Sequence, residues 1–320
     1  MAQRRRSDAG GIGVNSASPS APQPPAGQDF ASLSVTAPDG LRLNVRRYGG
    51  PQPTGLPVVC LPGIARTAAD FHSLATALAA DPGEPRTVLA LDYRGRGRSE
   101  YDRHPENYTL PVECDDVVAV VTALEAAPAV FVGTSHGGLI VLMLAVMRPT
   151  LFAGAILNDI GPVIEPQGLM RLKRVVDKLP TVRSLAEGAD ILRRLFESHF
   201  TRLSPQEWAA FAARTWRPEG KLFVPDYDMK LARALQAANL EHPPTLWTHF
   251  DALARVPLMI VRGANSDMLS SATLDAMLTR RAELDVAVVP DQGHPPFLAE
   301  PKLIQRIAAF VASCDMAAPR

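Results

Sequence analysis

Cysteine is scarce in this chain: three residues in 320, Cys60, Cys114 and Cys314, an odd and widely spaced set. That excludes a disulfide framework and any paired metal-ligand spacing. Cys60 sits in an apolar run and reads as a small core side chain. An excess of one charge is missing too. Thirty-three basic residues meet thirty-three acidic ones, so neither nucleic acid nor an anionic membrane is expected as the main partner. Long apolar runs are absent, and stretches such as Leu139–Met147 fall far short of the ~20 residues that span a bilayer, so no membrane insertion is expected. Large apolar residues are rare before Asp29, where Ser, Ala, Gly and Pro dominate; residues 1–29 read as a disordered tail. No apolar segment follows Arg4-Arg5-Arg6, so no export signal is expected and a cytoplasmic location is.

What remains is an ordinary globular composition, 47% apolar and 21% charged, long enough for one large core or one domain with an insertion. Segments 31–36 and 41–48, joined by Ala37-Pro38-Asp39-Gly40, read as an antiparallel hairpin. Strands at 57–61, 87–91, 129–132 and 154–158 then alternate with helices near 68–80, 112–126 and 136–147. Near-continuous apolar strands alternating with helices predict a parallel sheet covered on both faces. The alternation stops at Gly161-Pro162. From 162 to 250 the chain reads as helical, with Phe196, Phe200, Trp208, Phe211, Trp216, Phe223, Tyr227 and Trp247. A strand at 256–261, a helix near 271–281, a strand at 285–289 and a helix near 301–313 complete the sheet pattern. The expected organisation is a tail (1–29), a core in two parts (30–161 and 251–313), a helical insertion (162–250) and a short tail (314–320).

The stretch Val130-Phe131-Val132-Gly133-Thr134-Ser135-His136-Gly137-Gly138 runs a strand into G-x-S-x-G and on into a helix. A serine on so sharp a turn has its Oγ pushed into the open, beside the free N–H groups and positive dipole end of the helix. Serine is a weak nucleophile and needs a base. His294, in Asp291-Gln292-Gly293-His294, follows a strand and so lies at the carboxyl end of the sheet, where ligands bind in open α/β folds. His136, adjacent to Ser135, is expected to contribute its backbone N–H and not its ring. A carboxylate should orient the imidazole; Asp267 is the first choice and Asp159 the alternative, each in a loop after a strand. Oxyanion stabilisation needs two backbone donors, expected from His136 and, in Leu61-Pro62-Gly63-Ile64, from Ile64. The run Asp92-Tyr93-Arg94-Gly95-Arg96-Gly97-Arg98-Ser99 reads by itself as an exposed basic loop, with no phosphate-binding helix start after it.

In this order, L-P-G-I at 61–64, D-Y-R-G-R-G-R-S at 92–99, G-T-S-H-G-G at 133–138 and D-Q-G-H at 291–294 resemble the α/β-hydrolase superfamily over roughly 30–312. The resemblance implies an eight-stranded, mostly parallel sheet with the helical insertion as a cap over the site. Two departures stand out: Pro62-Gly63 where many relatives have His-Gly, and Ser266 at the usual acid position, with Asp267 one residue later. Relatives that dehalogenate or open epoxides carry aspartate at the elbow, where this chain has Ser135. The implied activity is hydrolysis of a small or medium carboxylic ester, thioester or lactone through an acyl-enzyme, with no cofactor or metal. Two alternatives are C–C bond hydrolysis of the meta-cleavage type, with Arg171, Lys173 and Arg174 holding a substrate carboxylate, and a non-catalytic ligand receptor on the same fold.

Overall fold

The computed structural model describes residues 29–50, 52–237 and 244–317. The tail expected at 1–29 therefore lies outside the described residues except for Asp29, as does His242. Ten strands occur in chain order: β1 (Ala31–Thr36), β2 (Arg42–Tyr48), β3 (Val58–Leu61), β4 (Val88–Asp92), β5 (Ala129–Thr134), β6 (Phe152–Asn158), β7 (Trp216–Glu219), β8 (Leu222–Pro225), β9 (Leu258–Gly263) and β10 (Asp285–Val289). The helices are α1 (His72–Ala79), α2 (Leu110–Ala123), α3 (His136–Met147), α4 (Pro166–Val176), α5 (Leu185–Phe196), α6 (Pro205–Ala213), α7 (Leu231–Ala237), α8 (Trp247–Ala252), α9 (Ser271–Arg280) and α10 (Pro301–Ala317). Eight strands form one sheet in the order β1-β2-β4-β3-β5-β6-β9-β10. β2 runs antiparallel to β1 and β4, and the remaining pairs are parallel.

The strands are apolar on both faces because both faces are covered. In β3, Val59 and Leu61 join a core with α2, α3, α8 and α9, while Val58 and Cys60 join a second core with α1 and α10. That is the period-two alternation of a strand, with neither side left to water. The parallel register aligns Leu61 with Gly133, Thr134 with Asn158, Asn158 with Val261, and Gly263 with Val289. The strands therefore end along one edge, and the loops carrying Ile64, Ser135, Asp159, Ser266 and His294 leave from it together.

Between β6 and β9 the chain forms a cap with its own apolar core, built from Val176, Leu192, Phe196, Trp208, Phe211, Trp216 and Tyr227 among others. Ser184 caps α5 by accepting from the Glu187 N–H, and Ser204 with Glu207 forms a capping box at α6. The cap is not purely helical: β7 and β8 make a hairpin around Gly220-Lys221, with Gly220 at φ 61°. Proline 218 inside this run conceals the strand signal, which survives because the hairpin has only two strands and no central position. The insertion is also shorter at its end than expected: Trp247 and Phe250 of α8 pack into the main core against the sheet helices. Likewise α10 continues to Ala317, burying Cys314 where a tail was expected.

Candidate functional site

Ser135 follows the last residue of β5 and precedes α3, at φ 50° and ψ −111°, a conformation that L side chains rarely adopt. Two features hold it there. Its N–H donates to Asn158 O at 2.9 Å, and Gly138 and Leu139 N–H groups return to its carbonyl at 2.9 and 3.1 Å. The turn also needs its glycines: a Cβ on Gly137 would stand 2.1 Å from Leu61 O, and one on Gly133 would stand 2.6 Å from Gly137 O. α3 thus begins against the end of β3, and the Ser135 hydroxyl projects at the carboxyl edge of the sheet.

Ser135 Oγ lies 2.8 Å from His294 Nε2, and His294 Nδ1 lies 2.8 Å from Asp159 Oδ2. All three residues are buried. The contact of Nδ1 with a carboxylate selects the tautomer whose Nε2 lone pair faces the serine. The structure therefore brings Asp159, and not the first-choice Asp267, to the imidazole. Asp159 sits at φ 58° directly after β6, next to β5, the strand that leads to Ser135, and its carboxylate is pinned from three sides. Gly263 N–H donates to Oδ1 at 2.8 Å, and the Ser266 hydroxyl donates to Oδ2 at 2.6 Å. Ser266 thus supports the carboxylate that meets the imidazole. Asp267, one residue on, turns to the cap instead: Arg171 of α4 grips it through Nε at 2.6 Å and Nη2 at 2.7 Å. Burial by itself would raise the Asp267 carboxyl, but this paired guanidinium holds it below the usual aspartate value.

Of the two expected backbone donors, His136 follows Ser135 in the chain, and Ile64 lines the same cavity. Among the described residues, neither the Ile64 nor the His136 N–H has a hydrogen-bond acceptor in the protein. As the first residue of α3, His136 has no carbonyl within the helix to bond. Its ring, as expected, is directed elsewhere, to the Glu113 carboxylate of α2. Arg96 completes this arrangement, donating from Nη1 to Glu113 Oε1 at 2.5 Å and from Nε to Ile64 O at 2.8 Å. One buried ionic group therefore ties both arms of the donor pair together. Although burial pushes the Glu113 carboxyl up, Arg96 and His136 more than reverse this and hold it at about 2.

The 92–99 segment is accordingly not an exposed basic loop. Arg94 and Arg96 are each 1% exposed. Arg94 binds Asp116 bidentately at 2.7 Å and reaches Asp102 at 2.7 Å and Asp39 at 2.8 Å. Ser266, Glu113 and Arg96 were not identified as site residues from sequence. Only the alternation of arginine and glycine in Arg94-Gly95-Arg96-Gly97 carried a signal for Arg96, since Gly95 and Gly97 adopt φ 71° and 55° to fold both guanidinium groups inward.

Above Ser135 and His294 lies a cavity of about 510 Å³ between sheet edge and cap. Its walls are largely apolar, with Leu172, Val176, Phe196, Phe211, Tyr227 and Phe297 among them. Aromatic side chains of the cap core thus also line the cavity. Of the cap cations considered for a substrate carboxylate, Arg171 is committed to Asp267, while Lys173 donates to Gln236 O at 3.0 Å on the outer surface. No helix among the described residues is long and apolar enough to cross a membrane.

Known proteins share this fold. Residues 58–305 match the family described as "Alpha/beta hydrolase family". The chain is 31% identical over 281 residues to the 3-hydroxybutyrate-oligomer hydrolase of Cupriavidus necator, covering 85% of this chain and 94% of that protein. It is 26% identical to the 2-(acetamidomethylene)succinate hydrolase of Mesorhizobium japonicum, covering 79% and 85%. The crystal structure of an alpha/beta hydrolase from Novosphingobium aromaticivorans superposes with a TM-score of 0.82 at 34% identity, covering 89% of this chain and 98% of that one. The chain belongs to the alpha/beta hydrolase family.

Proposed function

We propose that the protein is a serine hydrolase of carboxylic esters, with Ser135 as nucleophile, His294 as general base and acid, and Asp159 as the orienting carboxylate. The observation that carries this reading is the continuous chain of 2.8 Å contacts from Ser135 Oγ through the imidazole to Asp159. In the first half-reaction Oγ attacks the ester carbonyl carbon while Nε2 takes the hydroxyl proton. The carbonyl oxygen becomes an oxyanion, received by the Ile64 and His136 N–H groups. The imidazolium returns its proton to the leaving alcohol as the C–O bond breaks. Water then repeats the sequence on the acyl-enzyme, giving up a proton to His294 and releasing the acid. Asp159, buried and accepting two further hydrogen bonds, holds the ring by Nδ1 throughout.

The extent of the likeness to the Cupriavidus necator enzyme points to short esters of hydroxy acids as the substrate class. A largely apolar cavity of about 510 Å³ suits a chain of a few such units. Incubation with a fluorophosphonate probe tests the assignment. Wild type should label and hydrolyse 4-nitrophenyl butyrate, and Ser135→Ala should do neither. Binding of esters without labelling or turnover would make the protein a receptor; labelling that persists in Ser135→Ala would move the nucleophile elsewhere.

A further inference from the structure

The cavity wall opposite the apolar side chains carries charge that the proposed acyl transfer does not use. Arg46, Arg66, Arg171 and Arg214 line the cavity, against a single carboxylate among the described lining residues, Asp70. Arg171 is neutralised by Asp267 from outside. Arg66 binds Asp70 bidentately, with Nε at 2.7 Å and Nη2 at 2.6 Å, and spends Nη1 on Thr215 Oγ1 at 2.7 Å. Arg214, which ends α6 in the cap, has only Nε on Asp70, at 3.3 Å. Among the described residues its Nη1 and Nη2 have no hydrogen-bond partner, and its guanidinium lies 5.4 Å from the centre of the Phe297 ring. Asp226, the other carboxylate that acts on Arg66, lies 3.7 Å from Arg217.

Asp70 thus serves two partly buried guanidinium groups, Arg66 and Arg214, and one positive charge of that pair is left over, while Arg46, whose guanidinium lies 4.8 Å from the centre of the Phe30 ring, is not bonded to Asp70. Burial pushes Arg214 below the usual arginine value; Asp70 opposes that shift and the adjacent Arg66 reinforces it. A cation so placed gains from a second anion. The position is also close to the proposed chemistry. A Cβ placed on Gly63 would lie 3.2 Å from Arg66 Cγ and 4.0 Å from Ser135 Cβ, so the Arg66 stem and the Ser135 side chain both stand beside Gly63.

We propose that Arg214, held by Asp70 beside Arg66, binds a free carboxylate of the substrate, so that the site selects esters with an anionic end, as in a linear hydroxy-acid oligoester with its terminal acid free. This rests on the ester hydrolase reading above. The carboxylate supplies the acceptor that Nη1 and Nη2 lack, and the apolar walls cover the carbon chain. Because Arg66 leaves the loop after β3 and Arg214 leaves the cap, the bound anion also ties the cap to the core.

The test compares the free-acid dimer of 3-hydroxybutyrate with the same dimer capped as its primary amide, which has the same length and no charge. A charge-assisted hydrogen bond of this kind is expected to favour the acid by about tenfold to a hundredfold in KM. Arg214→Gln should bring the acid-to-amide ratio close to one, and Arg214→Lys should restore part of it; thermal melting checks that both are folded. Equal treatment of acid and amide by wild type overturns the proposal without any variant, as does a ratio that Arg214→Gln leaves intact. If neither dimer is cleaved, their inhibition of 4-nitrophenyl butyrate hydrolysis reads the same contrast. Failure of the hydrolase reading looks different: no probe labelling and no ester turnover, while calorimetric binding still distinguishes acid from amide.

Discussion

Replacing Asp159 by asparagine changes one atom pair and asks which carboxylate orients the proposed base. The native carboxylate accepts three hydrogen bonds, from Gly263 N–H at Oδ1 and from Ser266 Oγ and His294 Nδ1 at Oδ2. Asparagine has one oxygen for these three. The Gly263 donor is backbone and cannot turn, whereas the Ser266 hydroxyl can rotate to accept. The amide should therefore place its oxygen on Gly263 and its NH₂ toward His294. Nδ1 must then be the bare nitrogen, which puts the ring proton on Nε2, facing Ser135, where it blocks proton acceptance. Loss of the correct tautomer in a triad of this type costs about 10⁴-fold in kcat, or ~5.5 kcal/mol of transition-state stabilisation. Asp267→Asn, by contrast, weakens a largely buried pair with Arg171 that does not touch the imidazole, and should cost about tenfold or less in kcat. Steady-state turnover of 4-nitrophenyl butyrate and the rate of fluorophosphonate labelling, measured beside thermal melting, compare the two. A folded Asp159→Asn within tenfold of wild type, or a larger loss in Asp267→Asn, would refute the reasoning.

Three further outcomes follow from the packing around the site. Gly137→Ala places a Cβ 2.1 Å from a backbone carbonyl that has nowhere to move, and should cost about 3 kcal/mol or more in urea unfolding; a near-neutral value would mean that the approach of α3 to β3 is not tight. Arg94→Met leaves Asp116 and Asp102 buried without their cation and should destabilise by about 3–5 kcal/mol, read from the same curves, with an unchanged midpoint counting against it. The Glu113 carboxyl, at about 2 against an ordinary 4.5, stabilises the fold fully above pH 5 and loses that contribution as pH falls toward 2. The destabilisation by Glu113→Gln should accordingly shrink between pH 7 and pH 3, and an equal gap at both values would show that Glu113 is not held ionised by Arg96 and His136.

Much of this was legible in the sequence, and where it was not the reasons are physical. Strand and helix alternation survives in single-residue patterns, so α3 and β10 begin and end where the apolar periodicity says. Ser135 and His294 are marked by their own loops, because the glycines around them are there for the turn. The acid is different. Asp159 and Asp267 both follow sheet strands, and nothing local reveals which carboxyl a positive φ turns toward the imidazole and which the Arg171 guanidinium draws into the cap. Arginines 94 and 96 misled for a related reason: burial of a charge depends on carboxylates supplied from Asp39, Asp102, Glu113 and Asp116, which pattern alone does not bring together. The hairpin of β7 and β8 was hidden by Pro218, which is acceptable only because no third strand needs its N–H.

The position of Asp159 has a consequence for the order in which the site is made. With the carboxylate on the β6 loop, the proposed nucleophile, both proposed backbone donors and the proposed orienting acid are all encoded before the chain departs into the cap after Gly161. Only His294 comes afterwards, on the loop that leaves β10, the outermost strand of the sheet, bonded on one side to β9 alone. Along the chain, the residues proposed to receive charge therefore precede the cap, and the proposed proton carrier follows it. In the finished protein the same division means that fraying of a single border strand is enough to withdraw the imidazole. The elbow and the two backbone donors would remain folded around a serine with nothing to take its proton, while the Ser266 loop that supports Asp159, hydrogen-bonded to Val289 O and Gln292 O, would loosen as well.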